Sequence, residues 1–249
     1  MRRIISIVSG KGGVGKTVFA SNLGLALTEL VGDVTPVTLV DCDMSTANLG
    51  LHLGYYEIAT GLHDVIERKM DIEDAVHFHP SGLRFIPTSL DYERTIAFNP
   101  YTLKNRLRQL EGIIIIDSPP GLHEDVFSVL KASTEAIVVT QPETTAVTDA
   151  LKTINYAHQM KKKVTGIVVN RMRDSYEISP KDIEEMCDVA VIGEIPDDKH
   201  LKRSVFEKTP VINYRPHSKS AIEIRRIAAY LTGKEYNPPK FLRLRRAFS

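Results

Sequence analysis

The sequence contains no tryptophan and only two cysteines in 249 residues. Cys42 and Cys187 lie far apart, outside any CxxC or Cys/His grouping. That excludes a disulfide scaffold and a zinc site, and it fits a reducing compartment. Excess charge is nearly absent: 32 Lys and Arg face 31 Asp and Glu, a net +1. A protein held on a polyanion by bulk charge is excluded, although a local patch is not. No apolar run reaches the ~18–20 residues that span a bilayer. Met1-Arg2-Arg3 with Ile4–Val8 opens like a signal peptide, but the run breaks into Gly-Lys-Gly-Gly before any cleavage site. A cytoplasmic protein is expected. The remainder is 43% hydrophobic and 25% charged, a globular mix that excludes disordered and fibrous classes.

Strand-length apolar runs recur at Ile4–Val8, Val37–Val40, Leu83–Ile86, Ile113–Ile116, Ala136–Thr140, Val164–Val169 and Val189–Ile195. Several are apolar at every position, as strands covered on both faces require. Helical spacing fills Lys16–Leu30, Leu103–Leu110, Thr144–Met160 and Ser220–Leu231 between or after them. The alternation predicts an α/β domain over residues 1–233. Its sheet is mainly parallel, of about seven to eight strands, with helices on both faces. Ligands of such sheets bind beyond the carboxyl ends of the strands.

After the first run comes Ser9-Gly10-Lys11-Gly12-Gly13-Val14-Gly15-Lys16-Thr17-Val18, opening into a helix near Lys16. Gly10 through Thr17 satisfies G-x-x-x-x-G-K-[ST] in the strand–loop–helix context that makes it a phosphate loop. Glycines let successive N–H groups turn inward on a phosphate chain, and the helix N-terminus adds partial positive charge. Lys16 suits the β- and γ-phosphates of ATP, and the Thr17 hydroxyl suits Mg²⁺. Two more runs end in acids, one in Asp41-Cys42-Asp43 and the other in Asp117-Ser118-Pro119-Pro120-Gly121. Period-two alternation sends Asp41 and Asp43 off the sheet on the same side. Acids at buried strand ends beside a phosphate loop are placed to hold Mg²⁺, directly or through water. Two later runs end in Asn170-Arg171 and Pro196-Asp197-Asp198, which offer the donors, acceptors and flat flanks an adenine needs.

Lys11 lies five residues before the usual lysine. Lys11-Gly-Gly-Val-Gly-Lys16-Thr17 resembles the deviant Walker A loop of the MinD/ParA family of P-loop ATPases. Asp41-x-Asp43 with Asn48 is similar to that family's switch I, and Asp117-Ser-Pro-Pro-Gly121 to its switch II. The resemblance runs from Arg3 to about Gly233. It implies that Lys11 reaches across an ATP-dependent homodimer to the partner's ATP. It also implies that Asp43 positions the attacking water, Asp117 serves the metal and Asp41 supports the Mg²⁺ shell. Asn170, Pro196 and Asp198 would then contact the base, and Thr209–Leu231 would form a closing strand and helix. Val18 departs from the second Thr or Ser of many members, a mild change because the backbone N–H faces the α-phosphate there.

Residues 234–249 form a tail. After Asn237-Pro238-Pro239, the last ten residues carry one Lys and three Arg and no acid, or +4, leaving the rest at −3. Phe241, Leu244 and Phe248 share one helical face. A basic amphipathic segment reads as a membrane-surface helix, and this one resembles the C-terminal targeting helix of MinD members. The expectation is an ATPase peripheral to an anionic membrane, with an unidentified activating or cargo protein as partner. A ParA-like DNA-binding protein is the alternative, disfavoured because the clearest basic cluster lies on the amphipathic tail. A small-molecule kinase is disfavoured by the second loop lysine.

Overall fold

Four consecutive isoleucines, Ile113–Ile116, lie between two helical layers, and each is 5% exposed or less. Ile113 and Ile115 face one layer while Ile114 and Ile116 face the other. In this computed structural model, which describes residues 2–44, 48–56, 58, 60–88, 99–173 and 177–240, that segment is a central strand. The first half of the chain supplies β1 (Arg3–Val8), α1 (Lys16–Val31), β2 (Val37–Asp41), α2 (Asn48–His52), α3 (Leu62–Ile66), β3 (His77–Phe78), β4 (Arg84–Ile86), α4 (Pro100–Leu107) and β5 (Ile113–Asp117). The second half supplies α5 (Glu124–Ala132), β6 (Glu135–Thr140), α6 (Thr144–Gln159), β7 (Lys163–Met172), α7 (Pro180–Cys187), β8 (Val191–Pro196), α8 (Lys199–Phe206), α9 (Val211–Tyr214) and α10 (Lys219–Thr232).

The sheet order is β3-β4-β2-β5-β1-β6-β7-β8. Every pairing is parallel except β3 with β4. The expected α/β architecture of seven to eight strands is therefore present as eight. One layer packs α1, α2, α8, α9 and α10 on Ile5, Ile7, Leu39 and Ile115. The opposite layer packs α3, α4 and α5 on one half of the sheet and α5, α6 and α7 on the other. Full burial of each such aliphatic side chain contributes roughly 1.5–3 kcal/mol.

Three local differences from the sequence reading have physical causes. Helix α4 starts at Pro100, three residues earlier than the apolar spacing marks. The Asn99 side chain accepts from the Tyr101 and Thr102 N–H groups, and Pro100 occupies the first turn, where no N–H is needed. No strand closes the fold at Thr209–Val211. Pro210 begins a short helix, α9, and the Asn22 side chain accepts from the Ile212 N–H, turning the chain inward. The eighth strand is instead the two-residue β3 at the far edge. Helix α10 ends where expected, at Gly233, which adopts φ 66°. Beyond it, the Lys234 ammonium donates to the Leu30 carbonyl. The apolar positions of the tail, Phe241, Leu244 and Phe248, lie outside the described residues.

Candidate active site

The carboxyl ends of β1, β2, β5, β6, β7 and β8 converge on one edge of the sheet. β1 and β5 end side by side, with Ile7 paired to Asp117, and Asp117 is paired in turn to Asp41 of β2. Neighbouring strands lie about 4.8 Å apart, so parallel pairing alone brings the two carboxylates together under the loop that follows β1.

That loop is shaped to leave donors free. Gly13 and Gly15 adopt φ 76° and 99°, a region that disfavours other residues. A Cβ at Gly15 would lie 2.4 Å from the Asn170 side-chain nitrogen, and one at Gly10 would lie 2.3 Å from the Asp149 carbonyl. The loop is thus pressed against β7 at Gly15 and against α6 at Gly10, with no room for a side chain at either position. Helix α1 begins at Lys16, as expected, and no side chain caps it. Its first N–H groups are those a helix leaves without partners, and they face the loop's concavity, a ready anion site.

Lys16 is 7% exposed. Burial lowers its pKa, opposed by the nearby charges of Asp117 and Asp43. Asp117 is 1% exposed, and burial raises its pKa to about 6, helped by Asp43 and opposed by a Thr17 hydrogen bond and by Lys16. Asp41 is pushed well above the usual carboxylate range by burial and by the Asp117 charge. Its two oxygens accept from the backbone N–H groups of Asp43, at 3.0 Å, and Leu49, at 3.4 Å. The bond to Asp43 makes a turn, so strand alternation stops at Asp41 and does not set the direction of Asp43 as the sequence reading assumed. Asp43 is nevertheless close enough to Lys16 and Asp117 to shift both. The Cys42 thiol between the two aspartates is buried and raised by burial and by the surrounding carboxylates, which makes it inert.

Asp117 Oδ1 is buried with no hydrogen-bond partner. An orphaned carboxylate oxygen in a buried site is costly unless a cation or water meets it. The Thr17 hydroxyl beside it and an acceptor-only carboxylate are hard oxygen donors of the kind Mg²⁺ selects. The residues present therefore fit a magnesium ion coordinated jointly with phosphate oxygens. Asp41 is committed to two backbone donors and fits the outer shell.

Lys11 points away from this centre. Its side chain is 44% exposed and its ammonium lies 3.7 Å from Glu143, at the start of α6. Glu143 was not among the residues read from sequence, although its place just after the β6 run was the available signal. On the other side, the Asn170 amide donates to the Val14 carbonyl at 2.7 Å and bridges loop to β7. A small cavity of about 60 Å³ borders Gly15, Val18, Asn170, Pro196 and Asp198. It shares the Pro196–Asp198 wall with a larger one of about 620 Å³, completed by Met172, Arg173, Arg215 and Lys219. That volume suits a nucleoside. Asp198 also caps α8 through the His200 N–H and accepts from Ser220, which fixes the wall's position. Arg215 and Lys219 carried no sequence signal, because only the α9–α10 connection brings them to this edge.

Residues 5–211 match the family described as the CobQ/CobB/MinD/ParA nucleotide binding domain. An ATP-binding protein of Methanocaldococcus jannaschii is 35% identical over 93% of this chain and 88% of its own length. The septum site-determining protein MinD of Synechocystis is 32% identical, over 94% and 91%. The structure of MinD from Pyrococcus horikoshii complexed with Mg-ADP superposes with a TM-score of 0.86. It is 34% identical and covers 93% of this chain and 96% of that one.

Proposed function

Because the chain belongs to the CobQ/CobB/MinD/ParA nucleotide-binding family, we propose that it is an ATPase gated by dimerisation. Two copies close on ATP and attach reversibly to an anionic membrane through the C-terminal tails. They position a partner protein there until slow magnesium-dependent hydrolysis releases them. The relative solved with Mg-ADP supports the ligand, and the septum-site relatives support a positioning role. The observation that carries the reading is the split between two lysines. Lys16 is buried against the carboxylates, while Lys11 of the same loop is turned out to solvent, available to a second copy.

Within the site, the loop N–H groups from Gly12 to Val18 and the uncapped start of α1 bind the phosphate chain. Thr17 and the unpartnered oxygen of Asp117 would hold magnesium, which would supply neutralisation of the phosphate charge. Lys16 places a positive charge that burial keeps from bulk water, which would weaken its field. Asp43 orients the attacking water; an aspartate is too weak a base to strip it at pH 7. Lys11 completes the charge stabilisation from the partner's side, so turnover waits for the dimer. Asn170, Pro196 and Asp198 frame the base.

The tail's energetics suit a switch. Three partly inserted side chains gain roughly 3–6 kcal/mol, and four basic residues add about 1 kcal/mol each on an anionic surface. Ordering ten residues costs on the order of 10 kcal/mol. A single tail is marginal, and two on one dimer act as a bivalent anchor. Co-sedimentation with phosphatidylglycerol vesicles tests this, using the full chain and a chain lacking residues 240–249 with a non-hydrolysable ATP analogue or ADP. Pelleting should require both the analogue and the tail. Equal pelleting of both chains contradicts the reading. Salt-sensitive, ATP-dependent retention of duplex DNA without vesicle binding would put a DNA-partition protein in its place.

A further inference from the structure

On the layer opposite α1 and α10, the ends of α4, α5 and α6 carry charge of one sign. Residues 99–110, 126–134 and 151–163 hold eight lysines and arginines and no acid. Arg106 and Lys152 are neutralised by Asp71 and Asp149. Three of the others lie in one region: burial, and then the charges of Lys104 and Lys131, lower the pKa of Lys162. Lys162 is spent on the fold, donating to the Lys131 and Ser133 carbonyls at the end of α5.

Lys131 is held flat by aromatic rings. Its ammonium lies 4.2 Å from the Tyr101 ring centre and 5.4 Å from that of Phe127. The same ammonium donates to the Tyr101 oxygen at 3.0 Å. A lysine has no acceptor, so the phenol oxygen takes the bond and its own O–H remains to be given. Tyr101 is 62% exposed. The Phe127 ring continues to Tyr156, 6.4 Å away. An ammonium and a phenolic donor thus meet on one spot, with the charge of Lys104, one turn along α4 from Tyr101, nearby and an aromatic strip beside it.

We propose that this spot docks an acidic segment of a partner protein. One carboxylate takes the Tyr101 O–H and the Lys131 charge, a second meets Lys104, and a neighbouring apolar residue lies along Phe127 and Tyr156. A converged cluster relieves its own repulsion when one or two carboxylates arrive. A nucleic-acid backbone or a lipid surface calls for charges spread along a track or a plane, and these are not. The surface lies away from the nucleotide edge, so the docking stands apart from the ATPase reading.

The test uses the full chain and a fluorescein-labelled dodecapeptide of six glutamates, two leucines and four serines, followed by anisotropy at low and moderate salt. Lys104→Glu with Lys131→Glu should weaken binding at least tenfold, and Tyr101→Phe about threefold, with ATP-analogue binding unchanged in both. A milder pair, Lys104→Gln with Lys131→Gln, should fall between and guards against misfolding. Unchanged peptide affinity in the charge-reversed chain overturns the proposal, since the peptide would then be held elsewhere, as on the basic tail. Loss of duplex DNA or phosphatidylglycerol-vesicle binding in that variant, with no peptide binding in the parent, also overturns it.

Discussion

Asp117 works where its charge is least welcome. Its pKa of about 6 in the folded chain lies above the ordinary value of 3.8, so the folded state binds its proton more tightly than the unfolded state does. Stability from this group is complete below about pH 4 and is lost as pH rises through 6. Without nucleotide or magnesium, Asp117→Asn should therefore raise the unfolding free energy at pH 8 by on the order of 3 kcal/mol. Thermal melts should show the gain shrinking toward pH 4, and the variant should lose magnesium-dependent turnover. A second residue-scale test is Gly15→Ala. The φ of 99° and the 2.4 Å approach to Asn170 leave no space for a methyl group. Nucleotide affinity by titration calorimetry should fall at least tenfold, and stability by about 2 kcal/mol. The loop residues and Asp43 were legible in the sequence because a phosphate loop and strand-end acids are written locally. Glu143, just after the β6 run, carried the same strand-end signal; Asp149, Arg215 and Lys219 carried none, since each reaches the site through a tertiary approach that no spacing encodes.

Among the elements, β1 is stitched into the sheet from its amino end. Arg3 makes a two-pronged ion pair with Glu135 of β6, at 2.8 and 3.0 Å, and also donates to the Leu231 carbonyl at the end of α10. Burial works against the Glu135 charge, yet Arg3 and Thr165 hold its pKa below the usual carboxylate range. Arg3→Ala would leave Glu135, 6% exposed, without its main partner. Denaturant unfolding should show a loss of about 2 kcal/mol, less than a fully buried pair because Arg3 is partly in water. Strands β1, β2 and β5 were readable because burial on both faces leaves unbroken apolar runs. Strand β3 and helix α9 were not. Two residues are too few to show a period, and the family resemblance put a closing strand at Thr209-Pro210-Val211, where Asn22, far away in sequence, takes the Ile212 N–H instead.

Across the whole molecule, a net charge of +1 conceals separate fields. A body at −3 joins a tail at +4, and within the body the ends of α4, α5 and α6 gather eight lysines and arginines, two of them paired to Asp71 and Asp149. Neither is visible in an average, and only the tail could be found by reading along the chain. The facing of α4, α5 and α6 had to be folded before their charges could be added. The nucleotide edge and the lysine–tyrosine cluster lie at different parts of the domain, so the two proposals can be tested separately. The proposed ATPase cycle depends on ATP closing two copies around Lys11. The direct measurement is light-scattering mass after gel filtration in ATP and in ADP for the parent, Asp43→Ala and Lys11→Ala chains. Asp43→Ala should bind ATP without consuming it, and should be a stable dimer in ATP and a monomer in ADP. Lys11→Ala should bind nucleotide and stay monomeric in both. A monomeric Asp43→Ala chain with ATP bound, or a Lys11→Ala chain that dimerises as the parent does, would contradict the account.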